Sequence, residues 1–157
     1  MESQMLQIRR NIWIILMAAF YVFLGSTTQS NAEENISIIK NAAEQGDATA
    51  QLNLGVHYDL GKGVPQNDQQ AVDWYKKAAE QGNADAQLNL GARYDKGKGV
   101  QQNTIDAYAW FSLSAAQGNE DAAMNRDIIV NKFTPDQRIK AQTRAIELQA
   151  KIDKQKN

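Results

Sequence analysis

The chain has no cysteine, two prolines and one histidine in 157 residues, and its net charge is −1 at pH 7. Each shortage excludes something. Without cysteine there is no disulfide framework, no thiolate metal ligand and no thiol nucleophile. The one histidine, His57, has no second imidazole or thiolate to complete a zinc site. A charge so near zero argues against a nucleic-acid binder held mainly by phosphate contacts. Long apolar runs are missing as well, with one exception. Ile12 to Leu24 is an unbroken stretch of 13 apolar residues, and no later segment resembles it.

That stretch follows Arg9, Arg10 and Asn11. Thirteen residues span about 20 Å as a helix, short of the roughly 20 residues needed to cross a bilayer. A basic start, a short apolar core and small polar residues predict a secretory signal peptide over residues 1–32. Ser30 and Ala32 supply the small residues at −3 and −1, so cleavage is expected after Ala32. The alternative is an uncleaved membrane anchor, in which case this segment is the only membrane contact. The pair Arg9-Arg10 is similar to a twin-arginine signal, but the flanking Ile8 and Trp13 fit that motif poorly. The expected destination is the periplasm of a Gram-negative envelope, or secretion. Oxidising compartments do not oblige a protein to use cysteine.

The remaining 125 residues hold 49 apolar residues, of which 19 are Ala, and carry a net charge of −2. Such a core is too thin for a sheet sandwich and suits helices that approach along small-residue faces. No window alternates with period two, so no strand is expected.

A repeat is plain. Gln45, Gln81 and Gln117 are spaced 36 apart, and residues 41–76 laid on 77–112 give 22 identities without a gap. Matched blocks include Ala50-Gln51-Leu52-Asn53-Leu54-Gly55 with Ala86 to Gly91, Gly61-Lys62-Gly63-Val64 with Gly97 to Val100, and Trp74 with Trp110. Each unit reads as two helices. Helix A begins after Gly46 or Gly82, capped by Asp47, Asn83 or Asn119. It ends at the Gly-Lys-Gly turn. Helix B is capped by Asn67 or Asn103 and stops before Gly82 or Gly118. Residues 33–46 form a half repeat matching helix B alone, 47–82 and 83–118 are full repeats, and 119–152 combine a degenerate helix A with a capping helix. Thr134 is the expected N-cap of that last helix, with Pro135 at its first position. Residues 153–157 read as a frayed polar tail. The fold class is all-α, an α-α superhelix in which atypical ends cap a solenoid.

At these residues the sequence resembles the Sel-one-like repeat family, relatives of the tetratricopeptide repeat. The residues carrying the likeness are Ala50 to Gly55, Tyr58, Gly61, Gly63-Val64, Ala71, Trp74-Tyr75, Ala78-Ala79 and Gln81-Gly82. The second copy matches through Ala86 to Gly91, Tyr94, Gly97, Gly99-Val100, Ala107, Trp110-Phe111 and Gly118. The third departs, with Arg126 and Asp127 where Leu and Gly stand in the others, so its helix A is expected to pack differently. The resemblance implies a right-handed solenoid that serves as a scaffold or adaptor for protein complexes, often in the bacterial envelope. Some secreted relatives carry a disulfide in each repeat and are linked to penicillin binding. Without cysteine, nothing of that subgroup is transferred here.

In such a superhelix the A helices line the concave surface. Helical spacing puts Thr49, Asn53 and His57 on one stripe, then Asp85, Asn89 and Arg93, then Asp121, Asn125 and Ile129. Asn53, Asn89 and Asn125 form a ladder, one rung per repeat. An amide side chain both donates and accepts, so the stripe is a candidate groove for a peptide, with Arg93 available to a carboxylate. The competing reading gives these residues to packing or inter-repeat hydrogen bonds. His57 reads as a solvated surface residue rather than a metal ligand. Trp74, Tyr75, Trp110 and Phe111 recur at helical spacing and read as core, not as a stacking platform. The Gly-Lys-Gly turns lack the pattern of a phosphate loop. No nucleophile signature, nucleotide fingerprint or calcium loop is present. The expectation is a non-enzymatic chain without cofactor or metal, bound to an unknown protein or peptide. The alternatives are a subunit that self-associates by stacking in a larger assembly, and an inhibitor or regulator of a cell-wall enzyme.

Overall fold

The computed structural model describes residues 35–156, with side-chain burial described to Gln155. The expected signal segment over residues 1–32, with its two arginines and the expected cleavage point after Ala32, lies outside the described residues. The chain divides into two compact units after Ser37, and the repeats occupy the unit from Ile38 onward.

Every element among the described residues is helical. Residues 35–44 form α1. Then come α2 (Ala48–Leu60), α3 (Asp68–Glu80), α4 (Ala84–Lys96), α5 (Thr104–Ala116), α6 (Glu120–Val130) and α7 (Pro135–Lys156). The A helices are α2, α4 and α6; the B helices are α1, α3 and α5. None of the described helices is long and apolar enough to cross a membrane.

Caps set these boundaries. The carboxylate of Asp47 accepts from the Ala50 N–H at 2.6 Å, and the amides of Asn83 and Asn119 do the same for Ala86 and Ala122. Asn67 and Asn103 cap α3 and α5 through the N–H groups of Gln70 and Asp106. At the other end, α2 and α4 stop at Gly61 and Gly97, whose φ values of 65° and 64° place them in the left-handed region that glycine enters at little cost. Two bonds then pin each turn to the helix before it. Gln66 Nε2 donates to the Asp59 carbonyl and the Asn67 N–H to that of Tyr58; Gln102 and Asn103 repeat both bonds on Asp95 and Tyr94.

Packing within a repeat depends on one small residue. A Cβ on Gly55 would stand 2.6 Å from ring carbons of Tyr75, and one on Gly91 would stand 2.7 Å from the Phe111 ring. The A helix of each pair therefore lies directly on the aromatic residue of its B helix. Tyr75, Phe111 and Trp110 are buried as expected, but Trp74 is only half-buried, with Lys77 Nζ 3.7 Å above its ring.

A second device joins successive units. Gln51 and Gln87 are buried on α2 and α4. Gln51 Nε2 donates to the Ala43 carbonyl of the preceding B helix, and its Oε1 accepts from Gln81 Nε2 at 2.7 Å. Gln87 repeats this with Ala79 and Gln117. Each glutamine thus ties the helix before it to the helix after it, with no buried polar side-chain atom left unpaired among the described residues.

The third unit departs from the pattern, as Asp127 in place of glycine leads one to expect. α6 ends on Asn131 in an ordinary right-handed conformation and buries only Ala122 and Ile129. The following helix packs chiefly on α5. Thr134 and Gln137 form a reciprocal capping box at its start, each accepting from the other's backbone N–H. Leu148 and Ile152 of α7 join the core of α3, α4 and α5. Arg144 pairs with Asp106 at 2.6 Å, and Lys151 with Glu80 at 2.7 Å. These contacts correct the expected tail. The helix continues to Lys156 instead of fraying from Asp153, because Ile152 is buried and Gln149 bonds Asp153 one turn on.

Candidate functional site

With α7 laid along α5 and tied to α3, the chain itself covers part of the B side. The A helices carry the stripe read from the sequence. Asn53 is exposed, and Asn89 and Asn125 are half-buried. None of the three amides has a hydrogen-bond partner among the described residues. Their neighbours Gln51 and Gln87, two positions earlier on the same helices, are fully engaged. Burial thus separates two amide ladders on one pair of helices: the glutamines join the repeats, and the asparagines face outward.

The other residues of the stripe are placed differently. Arg93 is 9% exposed. Its guanidinium pairs with Asp59 at the end of α2 and, at 3.3 Å, with Asp68 at the start of α3. Lys98 adds contacts of 3.1 Å to Asp68 and 3.6 Å to Asp59. Four charges, two of each sign, therefore close the junction between the first and second repeats. The sequence alone leaves Arg93 available to a ligand carboxylate; the structure engages it within the chain. Position 93 faces the preceding repeat, where a desolvated guanidinium needs partners.

His57 is half-buried, and Nδ1 lies 2.6 Å from the Lys62 carbonyl, to which a protonated ring nitrogen donates. The ring thereby braces the turn that ends its own helix. In the third unit the same position is Ile129, buried with Phe133 and Ala141. Residues 57, 93 and 129 thus share one repeat position whose chemistry changes from unit to unit. Thr49, Asp85 and Asp121 are exposed at the start of the stripe. Asp85 accepts from Asn119 Nδ2 at 3.2 Å, across to the next repeat.

Two surface cavities lie along the B-helix entry turns, and none of Asn53, Asn89 and Asn125 lines either. One, of about 370 Å³, is lined by Tyr94, Val100, Gln101, Gln102, Asn103 and Asp106. The other, of about 270 Å³, includes Asp95, Thr104, Ile129, Lys132 and Phe133. Burial pushes the Tyr94 phenol up from its ordinary value, and the nearby Asp106 carboxylate pushes the same way. No group of three or more His, Asp or Glu among the described residues is placed to hold a metal.

Sequence reasoning missed the glutamine ladder and the junction charges. Gln51 and Gln87 stand inside the repeated block, and a polar residue held between Ala50 and Leu52 in both copies is the available signal.

A chain of stacked helix pairs, with its buried polar side chains paired among the described residues, is a helical-repeat solenoid. The Sel1 repeat family model matches residues 48–83 and again 84–119. Among solved structures, a Sel1 repeat protein from Oxalobacter formigenes is 39% identical, with a TM-score of 0.56, over 57% of this chain and 67% of that one. A protective antigen present in uropathogenic Escherichia coli strains, displaying an SLR fold, is 36% identical with a TM-score of 0.74 over 76% of this chain. This chain spans only 26% of that antigen. Helicobacter pylori cysteine rich protein B is 31% identical, with a TM-score of 0.54, over 56% of this chain and 66% of its own. No curated protein matches the chain. The chain belongs to the Sel1 repeat family. Proteins built from these repeats generally serve as protein-interaction scaffolds and are typically non-catalytic.

Proposed function

We propose that this chain is a non-enzymatic interaction module of the bacterial envelope, delivered by its signal segment, that holds a protein partner on the A-helix stripe. One observation carries the reading. Asn53, Asn89 and Asn125 recur every 36 residues on α2, α4 and α6, and no group among the described residues uses their amides. A side chain that donates and accepts at each rung matches the backbone of an extended segment, whose N–H and C=O groups need both. Exposed Asp85 and Asp121 add negative charge at the head of the stripe, which favours a segment bearing Lys or Arg there.

A photo-crosslinking residue in place of Asn89, with a second variant at Lys76 on exposed α3 surface as the comparison, tests the face directly. In intact envelopes, position 89 is expected to trap a discrete product that position 76 does not. Equal labelling from both positions, or none from position 89, removes the stripe as the binding face. Recovery of a mature N-terminus at Glu33 from the same sample checks export and cleavage.

A further inference from the structure

At two repeat positions the last A helix exposes apolar side chains where the interior A helices partly bury theirs. Met124 and Ile128 are 58% and 56% exposed. A shift of 36 residues lays them on Leu88 and Ala92, and a second shift lays them on Leu52 and Val56. Those four are partly buried against the two core clusters. Among the described residues α6 is followed by α7, which packs on α5, and the patch has no cover.

The patch lies in an ordered stripe. Asp121, Met124, Asn125 and Ile128 share one face of α6 at helical spacing, and Lys132 just past its end continues the line. Asp121 and Lys132 are exposed, and neither forms an ion pair among the described residues. The stripe is therefore acidic at one end, apolar in the middle and basic at the other. Such a pattern is complementary to itself when reversed.

We infer that α6 pairs with α6 of a second copy of this chain across a two-fold axis, the helices antiparallel. In that arrangement Met124 of one copy packs on Ile128 of the other. Asp121 faces Lys132 of the second copy, and the two Asn125 amides meet near the axis, so the pairing takes the last rung of the asparagine stripe and leaves Asn53 and Asn89 open to a partner. Two-fold contacts use one patch twice, and antiparallel helices bring opposite dipole ends together. Parallel pairing sets Asp121 on Asp121 and is excluded by its charges. The exposed Ile139 and Ile146 of α7 form no comparable patch, because they stand two turns apart with exposed Gln142 and Thr143 between them. The stripe is small beside the roughly 800 Å² per partner of a stable interface, so the contact is reversible and needs high local concentration.

The absence of cysteine gives a clean test. Asn125→Cys in the full chain, oxidised in the envelope and resolved without reductant, is expected to give a dimer at least about tenfold more abundant than Thr49→Cys or Gln142→Cys, since only cysteines near the axis meet disulfide geometry. Adding Ile128→Asp, an exposed position where folding has little at stake, is expected to abolish the product. Asp121→Lys is expected to weaken it, and Asp121→Lys with Lys132→Asp to restore it. Equal dimer from the control positions, indifference to Ile128→Asp, or failure of the charge exchange to restore crosslinking overturns the inference. A product at a mass other than twice the chain assigns the patch to a different protein and overturns it equally.

Discussion

The ring of Tyr75 occupies the space that a side chain on Gly55 would need. A Cβ there stands 2.6 Å from two ring carbons and 3.3 Å from the Ala71 carbonyl oxygen. Gly55→Ala is therefore expected to destabilise the fold by about 1–3 kcal/mol, the range for overfilling a packed core. In a Tyr75→Leu background the same change is expected to cost less, because the ring carbons are gone. Urea denaturation of the two single variants and the double variant reads the coupling.

The junction between repeats gives a second expectation. Arg93→Ala leaves Asp59 and Asp68 facing each other with only Lys98 between them. The loss is expected to be about 1.5–3 kcal/mol, as for bonds to charged groups. Arg93→Lys is expected to recover only part of it, since an ammonium lacks the fork that reaches both carboxylates. Thermal denaturation at low and high salt checks both points.

The glutamine ladder gives a third. Gln87→Leu fits the volume but removes two hydrogen bonds, the one its Nε2 gives to the Ala79 carbonyl and the one its Oε1 accepts from Gln117. At about 0.5–1.5 kcal/mol for each bond, the loss is expected to be about 1–3 kcal/mol. Asn89→Ala, two residues away and without a partner among the described residues, is expected to stay within about 0.5 kcal/mol of the parent. Equal losses at the two positions contradict the division between a structural and an outward ladder.

Burial, with the Asp59 carboxylate reinforcing it, pushes the Tyr75 phenol from 10.0 up to about 12. The folded state therefore holds this proton more tightly than the unfolded chain. Its contribution is complete below pH 10 and is lost as the pH rises from 10 to 12. Stability in that window is expected to fall more steeply for the parent than for Tyr75→Phe, which keeps the ring and has no proton to lose. Urea midpoints measured across the window check the difference.

What the sequence disclosed and what it concealed divide by the range of the interaction. Caps such as Asp47, Asn83 and Thr134 act within three residues, so their positions are readable before any fold is known. The same is true of Gly61 and Gly97, which end their helices locally. Arg93 misleads because its partners are 34 and 25 positions earlier and meet it only after two repeats stack. The end of α7 is hidden because Ile152 is buried by α3, α4 and α5 rather than by its own neighbours. On the candidate face, the asparagine ladder is visible as a 36-residue period. Its freedom from internal bonds is not, since Gln51 and Asn53 look alike until burial separates them.

The outward ladder is what the proposed function stands on. Its most direct test is the affinity of the trapped partner for the parent chain and for Asn53→Ala/Asn89→Ala, measured with helicity and melting temperature alongside. A loss of at least about tenfold, with both fold measures unchanged, is the predicted result. Unchanged affinity in a fully helical double variant contradicts it.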